Sequence, residues 1–222
     1  MPRVGVCLSG CGFRDGAEIH ESVLTLLCLD QAGAEVLCMA PDVSQAIVVN
    51  HLTGETTHES RNVLAESARI ARGAIRDISD VTAADFDALI FPGGFGAALN
   101  LCDFATAGDA AVVHPQVGRL IRETLAQHKP IGAICIAPAL VAAAAREEGL
   151  ELTIGTDRGT AETLERMGAR HFSHEVDEIH VDARNHIVTT PAYMLGPGPA
   201  AVYKGISRLV ERVLQMTAAG VR

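Results

Sequence analysis

Ile131-Gly132-Ala133-Ile134-Cys135-Ile136-Ala137-Pro138-Ala139-Leu140 is the stretch that decides the fold. Ile131 to Ile134 is apolar, short and preceded by Lys129-Pro130, which reads as a buried strand. Pro138 to Arg146 is rich in alanine and leucine and reads as a helix, with Pro138 confined to its first turn. Cys135 therefore stands at the bend between strand and helix. Small residues lie two before it (Ala133) and two after it (Ala137), as a tight strand-to-helix turn requires, and this is the shape of a nucleophile elbow.

The same alternation extends outward in both directions. Upstream, Val117, Leu120, Ile121 and Leu125 mark an amphipathic helix, and Ala88-Leu89-Ile90-Phe91 forms a core strand ending in Pro92-Gly93-Gly94-Phe95-Gly96. The chain opens with a strand at Arg3 to Leu8, a Gly-rich turn at Ser9 to Gly16, and a helix with Ile19, Val23, Leu24 and Leu27 at helical spacing. Gly33 stops that helix, and a strand follows at Val36 to Met39. Residues 47–55 read as a hairpin insertion and residues 59–72 as a helix with Val63, Leu64 and Ile70 inward. Downstream come Leu152 to Ile154 as strand, a helix around Ala161 to Met167, a hairpin pairing Ile179–Val181 with Ile187–Thr189, and a closing helix from Ala200. Strands alternating with helices predict an α/β, doubly wound, mostly parallel sheet whose ligands sit beyond the carboxyl ends of its strands. No repeat or linker divides the chain, so one domain spanning 1–222 is expected.

Three turns meet at that edge: 9–16, 92–96 and Cys135. A helix N-terminus under Cys135 would favour the thiolate; the alternative is an inert core cysteine. A thiolate adding to a carbonyl creates an oxyanion, for which the amides of Gly94 and Ile136 are the candidate donors. The acid or base should come from Asp15-Gly16-Ala17-Glu18-Ile19-His20-Glu21. Asp15 and Glu18 have the spacing of a capping box, which gives Glu18 a structural task, whereas nothing local explains Glu21. Buried beside a thiol, Glu21 would hold its proton toward neutrality. His20 and Glu18 are supporting candidates around the pair.

A net charge of -9 without a Lys/Arg cluster argues against nucleic acid and anionic membranes as partners. Aromatics at 4% suit close helix-on-sheet packing more than an aromatic binding surface. Six cysteines without a Cys-x-x-Cys pair read as reduced thiols and, with no secretory segment at the start, point to the cytoplasm. His171-x-x-His174 lacks the ligands to complete a metal site, so no metal is expected. Gly10-x-Gly12-x-x-x-Gly16 carries one residue too many for a dinucleotide fingerprint, and no cofactor is expected either.

With Pro92-Gly93-Gly94, Ala133-Ile134-Cys135 and a glutamate in the first helix, the chain resembles the ThiJ/PfpI superfamily, relatives of the glutamine amidotransferases. Ser9-Gly10-Cys11-Gly12, Asn50-His51-Leu52-Thr53-Gly54-Glu55, Arg61-Asn62-Val63-Leu64 and Thr189-Thr190-Pro191-Ala192-Tyr193-Met194 are similar to its ElbB branch, named for enhanced lycopene biosynthesis. The resemblance implies a flavodoxin-like three-layer sandwich, a homodimer, and a cofactor-independent, glutathione-independent glyoxalase, a lyase converting glyoxal to glycolate through a cysteine hemithioacetal. It carries the nucleophile onto Cys135 and the acidic partner onto Glu21. Ile136 stands where many members have a histidine, and no downstream His-x-Glu is found, so amide and peptide hydrolysis are disfavoured. Two further readings remain: a redox-sensing or interaction protein with an oxidisable Cys135, and an amidase-like subunit that borrows a partner's residue.

Overall fold

The computed structural model describes residues 1–219; residues 220–222, the last of the expected domain, lie outside the described residues. The apolar runs become the strands of one seven-stranded sheet. β1 (Arg3–Cys7), β2 (Glu35–Ala40), β3 (Ile75–Asp77), β4 (Ala88–Phe91), β5 (Ile131–Ile134), β8 (His180–Asp182) and β9 (Ile187–Thr190) pair in the order β3-β2-β1-β4-β5-β9-β8. Every pairing is parallel except that of β8 with β9. A parallel sheet needs a crossover between successive strands, and the helices that supply it cover both faces.

Side chains alternate along each strand, so the sheet builds two cores. On β4, Leu89 and Phe91 join the core beneath α5 (Pro115–Ala126) and α6 (Ala137–Ala144). Ala88 and Ile90 join the opposite core, with α1 (Ile19–Gln31) and α8 (Pro199–Ala219). α2 (Val63–Ile70) lies against β2 and β3. The architecture is a flavodoxin-like α/β sandwich with a mostly parallel sheet.

Several local readings need correction. The stripe Ile19, Val23, Leu27 on α1 faces outward, 43%, 49% and 40% exposed, while Glu21, Ser22, Thr25, Cys28 and Leu29 face the sheet. The buried face combines Glu21 with Cys28 and Leu29, and the Ile19, Val23, Leu27 stripe is left outside it. The helix begins one residue after Glu18, so Glu18 is the N-cap itself, its Oε2 accepting the Glu21 N–H at 2.6 Å. Asp15 is then no cap: its carboxylate accepts the Val49 N–H at 2.7 Å and ties down the segment between β2 and α2. That segment, expected as a hairpin over 47–55, is a very short one: Val49 bridges Thr56, Asn50 N–H donates to Glu55 O at 2.9 Å and Thr57 N–H to Val48 O at 2.7 Å, around a turn closed by Gly54 N–H on Asn50 O. β6 (Glu151–Leu152) does not join the main sheet but pairs with β7 (Arg170–His171) in a separate small one. α7 (Arg158–Arg166) crosses between them. Short helices α3 (Phe95–Leu99) and α4 (Phe104–Ala107), and β3, carry too few periodic residues to be read from sequence.

Candidate active site

β1, β4, β5 and β9 end side by side, and the turns that leave them meet at one place. After β5 the chain reverses through Cys135, whose φ of 62° is unusual for a residue with a side chain. The Cys135 N–H donates to Thr190 O at 2.9 Å, which fixes the bend to the end of β9. α6 starts directly, with Ile136 as its N-cap. The expected elbow is present.

After β4, Gly93 passes so close to the elbow that a side chain has no room. A Cβ there would lie 2.5 Å from Cys135 Cβ, 2.7 Å from Glu21 Oε2 and 2.9 Å from Ile134 O. Gly94 has φ 91° and would meet Glu18 N and Gly16 O at 2.4 and 2.5 Å. Both glycines are there for close approach of backbone to the site. The amides of Gly94 and Ile136 lie beside the Cys135 sulfur and favour its ionised form.

α1 delivers Glu21 from the other side. Its carboxyl is fully buried, accepting Gly93 N–H on Oε2 at 2.8 Å and Tyr193 N–H on Oε1 at 3.2 Å, and it lies beside the Cys135 side chain across Gly93. Of the two glutamates in this segment, Glu21 is the one fully buried against the elbow. Burial, and then the nearby Glu18, push its pKa up to about 8, against the pull of the two amides. Burial and the Glu21 carboxylate likewise hold the Cys135 thiol well above its ordinary range, while the Gly94 and Ile136 amides lower it. Burial and the neighbouring carboxyl thus act against the α6 N-terminus, which favours the thiolate. In a site this dry, two acids in contact cannot both ionise, and desolvation outweighs the helix terminus.

Cys135 is 8% exposed and opens into a cavity of about 420 Å³. Phe13, Phe95, Ala98, Phe104, Ala105 and Met194 form its apolar wall; Glu18, Thr160 and Tyr193 supply the polar side chains. Burial raises the pKa of Glu18 as well. His20 is exposed and does not line the cavity, but its Nδ1 lies 2.7 Å from the hydroxyl of Tyr193, which does. Tyr193 is a site residue that sequence reasoning misses, although it lies in the Thr189–Met194 string. Its place is set by Ala192, whose φ of 44° turns the Tyr193 amide toward Glu21. Among the described residues no group of three or more His, Cys, Asp or Glu is arranged to hold a metal ion.

The human glutamine amidotransferase-like class 1 domain-containing protein 3, mitochondrial, is 47% identical to the chain, over 97% of it and 83% of the human protein. The ES1 protein, mitochondrial, of Danio rerio is 32% identical over 97% of the chain and 86% of its own length. The crystal structure of an isoprenoid biosynthesis protein with amidotransferase-like domain from Ehrlichia chaffeensis superposes with a TM-score of 0.91 and 36% identity, over 97% of this chain and 99% of that one. Drosophila melanogaster DJ-1beta, at 20% identity and a TM-score of 0.55, shares the fold.

The cytoplasmic assignment does not survive this comparison, because the human, rat and zebrafish relatives are all named as mitochondrial. Six free thiols call for a reducing compartment, and thiols alone do not distinguish one such compartment from another. Residues 12–192 match the DJ-1/PfpI family, and with the Cys135 elbow and its buried glutamate in place the chain belongs to that family.

Proposed function

We propose that the protein works through the oxidation state of Cys135, as a redox-sensing or interaction protein attached to isoprenoid biosynthesis, within one DJ-1/PfpI domain over residues 1–222. The observation that carries this reading is the donor set around the sulfur: the Gly94 and Ile136 amides and a Glu21 carboxyl that keeps its proton to about pH 8. A sulfenic or sulfinic oxygen is an acceptor and would be held by these donors. A peroxide reaching the cavity reacts with the minor thiolate fraction of Cys135: one oxygen passes to the sulfur and the other leaves as water with the proton the thiol gave up, and a second equivalent yields the sulfinic acid. No histidine follows Cys135, which leaves it poorly equipped to protonate a leaving amine. The name of the Ehrlichia chaffeensis relative supports the isoprenoid link. Mass spectrometry after mild peroxide, with a glyoxal turnover assay on the same sample, tests the reading. Selective oxidation of Cys135 with negligible turnover is expected; rapid conversion of glyoxal to glycolate would overturn it.

A second reading, the ElbB-type glyoxalase, is favoured by the near-neutral Glu21 in contact with a thiol. Here the Cys135 sulfur adds to one aldehyde carbon of glyoxal, and the Gly94 and Ile136 amides receive the oxyanion. Glu21 moves a proton between the adjacent carbons, and water releases glycolate. No resident metal or cofactor takes part in this scheme. In either reading a homodimer would cover the exposed Ile19, Val23 and Leu27 stripe on α1. Sedimentation of Val23→Glu should then show monomer where the parent chain shows dimer.

A further inference from the structure

The cavity in front of Cys135 is too large and too apolar for glyoxal. Its volume of about 420 Å³ lies in the range of pockets that enclose drug-sized ligands, roughly 300–1,000 Å³. Glyoxal has a handful of heavy atoms and is polar at both ends, so it would leave the wall of Phe95, Phe104 and Met194 wetted or empty. Among the described residues the lining has no lysine, arginine or histidine. Glu18 faces the space, so among the described residues an anionic ligand meets a carboxyl group and no counter-charge. Arg14 stacks on Phe13, 4.9 Å from its ring centre, without being part of the lining.

We propose that this cavity takes a neutral carbonyl compound with an apolar body several carbons long, held against Phe95, Phe104 and Met194 with its carbonyl at Cys135. Glyoxal and 2-oxo acids are disfavoured, the first by size and the second by charge. The proposal rests on Cys135 being the reactive group, as in the redox reading. The step is an addition: the Sγ–C bond forms, the C=O π pair moves to oxygen between the Gly94 and Ile136 amides, and the thiol proton passes through the Glu21 carboxyl to that oxygen. The product is a hemithioacetal, nothing is oxidised or reduced, and the reverse step frees both partners. Occupancy would also shield the sulfur from peroxide, which makes the ligand a regulator of oxidation.

The test uses the full chain and measures protection of Cys135 from alkylation by iodoacetamide, read by peptide mass spectrometry. The probes are straight-chain aldehydes from propanal to octanal, with glyoxal and glyoxylate for comparison. Each added methylene should tighten protection roughly threefold until the cavity is filled. Glyoxylate should protect about tenfold less well than glyoxal, or not at all. Ala105→Phe fills the cavity from an exposed position and should cut the advantage of octanal over propanal by about tenfold. A flat dependence on chain length, or glyoxylate equal to octanal, would overturn the ligand class while leaving the reactive cysteine standing. A Cys135 alkylated no faster in the free protein than the fully buried Cys7 would overturn both.

Discussion

Keeping Glu21 protonated should cost the fold stability, and Glu21→Gln should recover it. The carboxyl binds its proton up to about pH 8 in the folded protein, against an ordinary value of 4.5. Between those values the folded state holds a proton that the unfolded chain has released, so stability falls as pH rises, by about 1.4 kcal/mol per unit. The loss is absent below pH 4.5, amounts to about 3 kcal/mol at pH 7, and is complete as pH passes 8. Glutamine has the same shape and does not titrate. Its carbonyl can accept from one of the two amides that Glu21 serves, Gly93 or Tyr193, and its NH2 faces the other, a loss of roughly 1 kcal/mol. The balance favours Glu21→Gln by about 2 kcal/mol at pH 7 and leaves it near parity at pH 5. Urea denaturation of both proteins at the two pH values measures this, and titrations elsewhere cancel in the difference. A variant that is no more stable at pH 7 than at pH 5, relative to the parent, would refute the argument that burial holds the proton on Glu21.

The Cys135 backbone, at φ 62°, predicts that Cys135→Gly melts no lower than Cys135→Ala, since glycine adopts this conformation about 1 kcal/mol more easily. Equal loss of side chain with the alanine variant clearly more stable would contradict it. Gly93→Ala forces a Cβ to within 2.5 Å of Cys135 Cβ and should cost about 2 kcal/mol or more in denaturant, with loss of selective Cys135 modification. Asp15→Ala removes the acceptor of the Val49 N–H and should destabilise by about 1–3 kcal/mol. Limited proteolysis should then cut within 44–62 sooner than in the parent.

The order of strands and helices is written in the chain because each is set locally. Ile131 to Ile134, Ala88 to Phe91 and Val4 to Cys7 are apolar on both faces, as strands covered by two helical layers must be. The elbow is legible too, since Ala133, Ala137 and Pro138 report a tight turn into a helix without knowledge of what packs around it. The protonation of Cys135 is not local. It depends on how deeply α1 buries Glu21 against the sulfur, a distance that no spacing within either segment encodes. The outward Ile19, Val23, Leu27 stripe is another such case: helical periodicity identifies an apolar face but not whether this chain or another surface covers it. The Tyr193 main chain is turned toward Glu21 at the positive φ of Ala192, and an alanine gives no sign of that conformation.

The most direct measurement is the fate of Cys135 in the intact protein under limiting peroxide, tracked by peptide mass spectrometry, with glyoxal turnover assayed beside it. A redox role predicts that Cys135 reaches the sulfenic or sulfinic state ahead of the other five cysteines, that Glu21→Gln alters this selectivity, and that glyoxal is consumed negligibly. A Cys135 that stays reduced while the half-buried Cys11 oxidises, or a chain that turns glyoxal over rapidly, would contradict it.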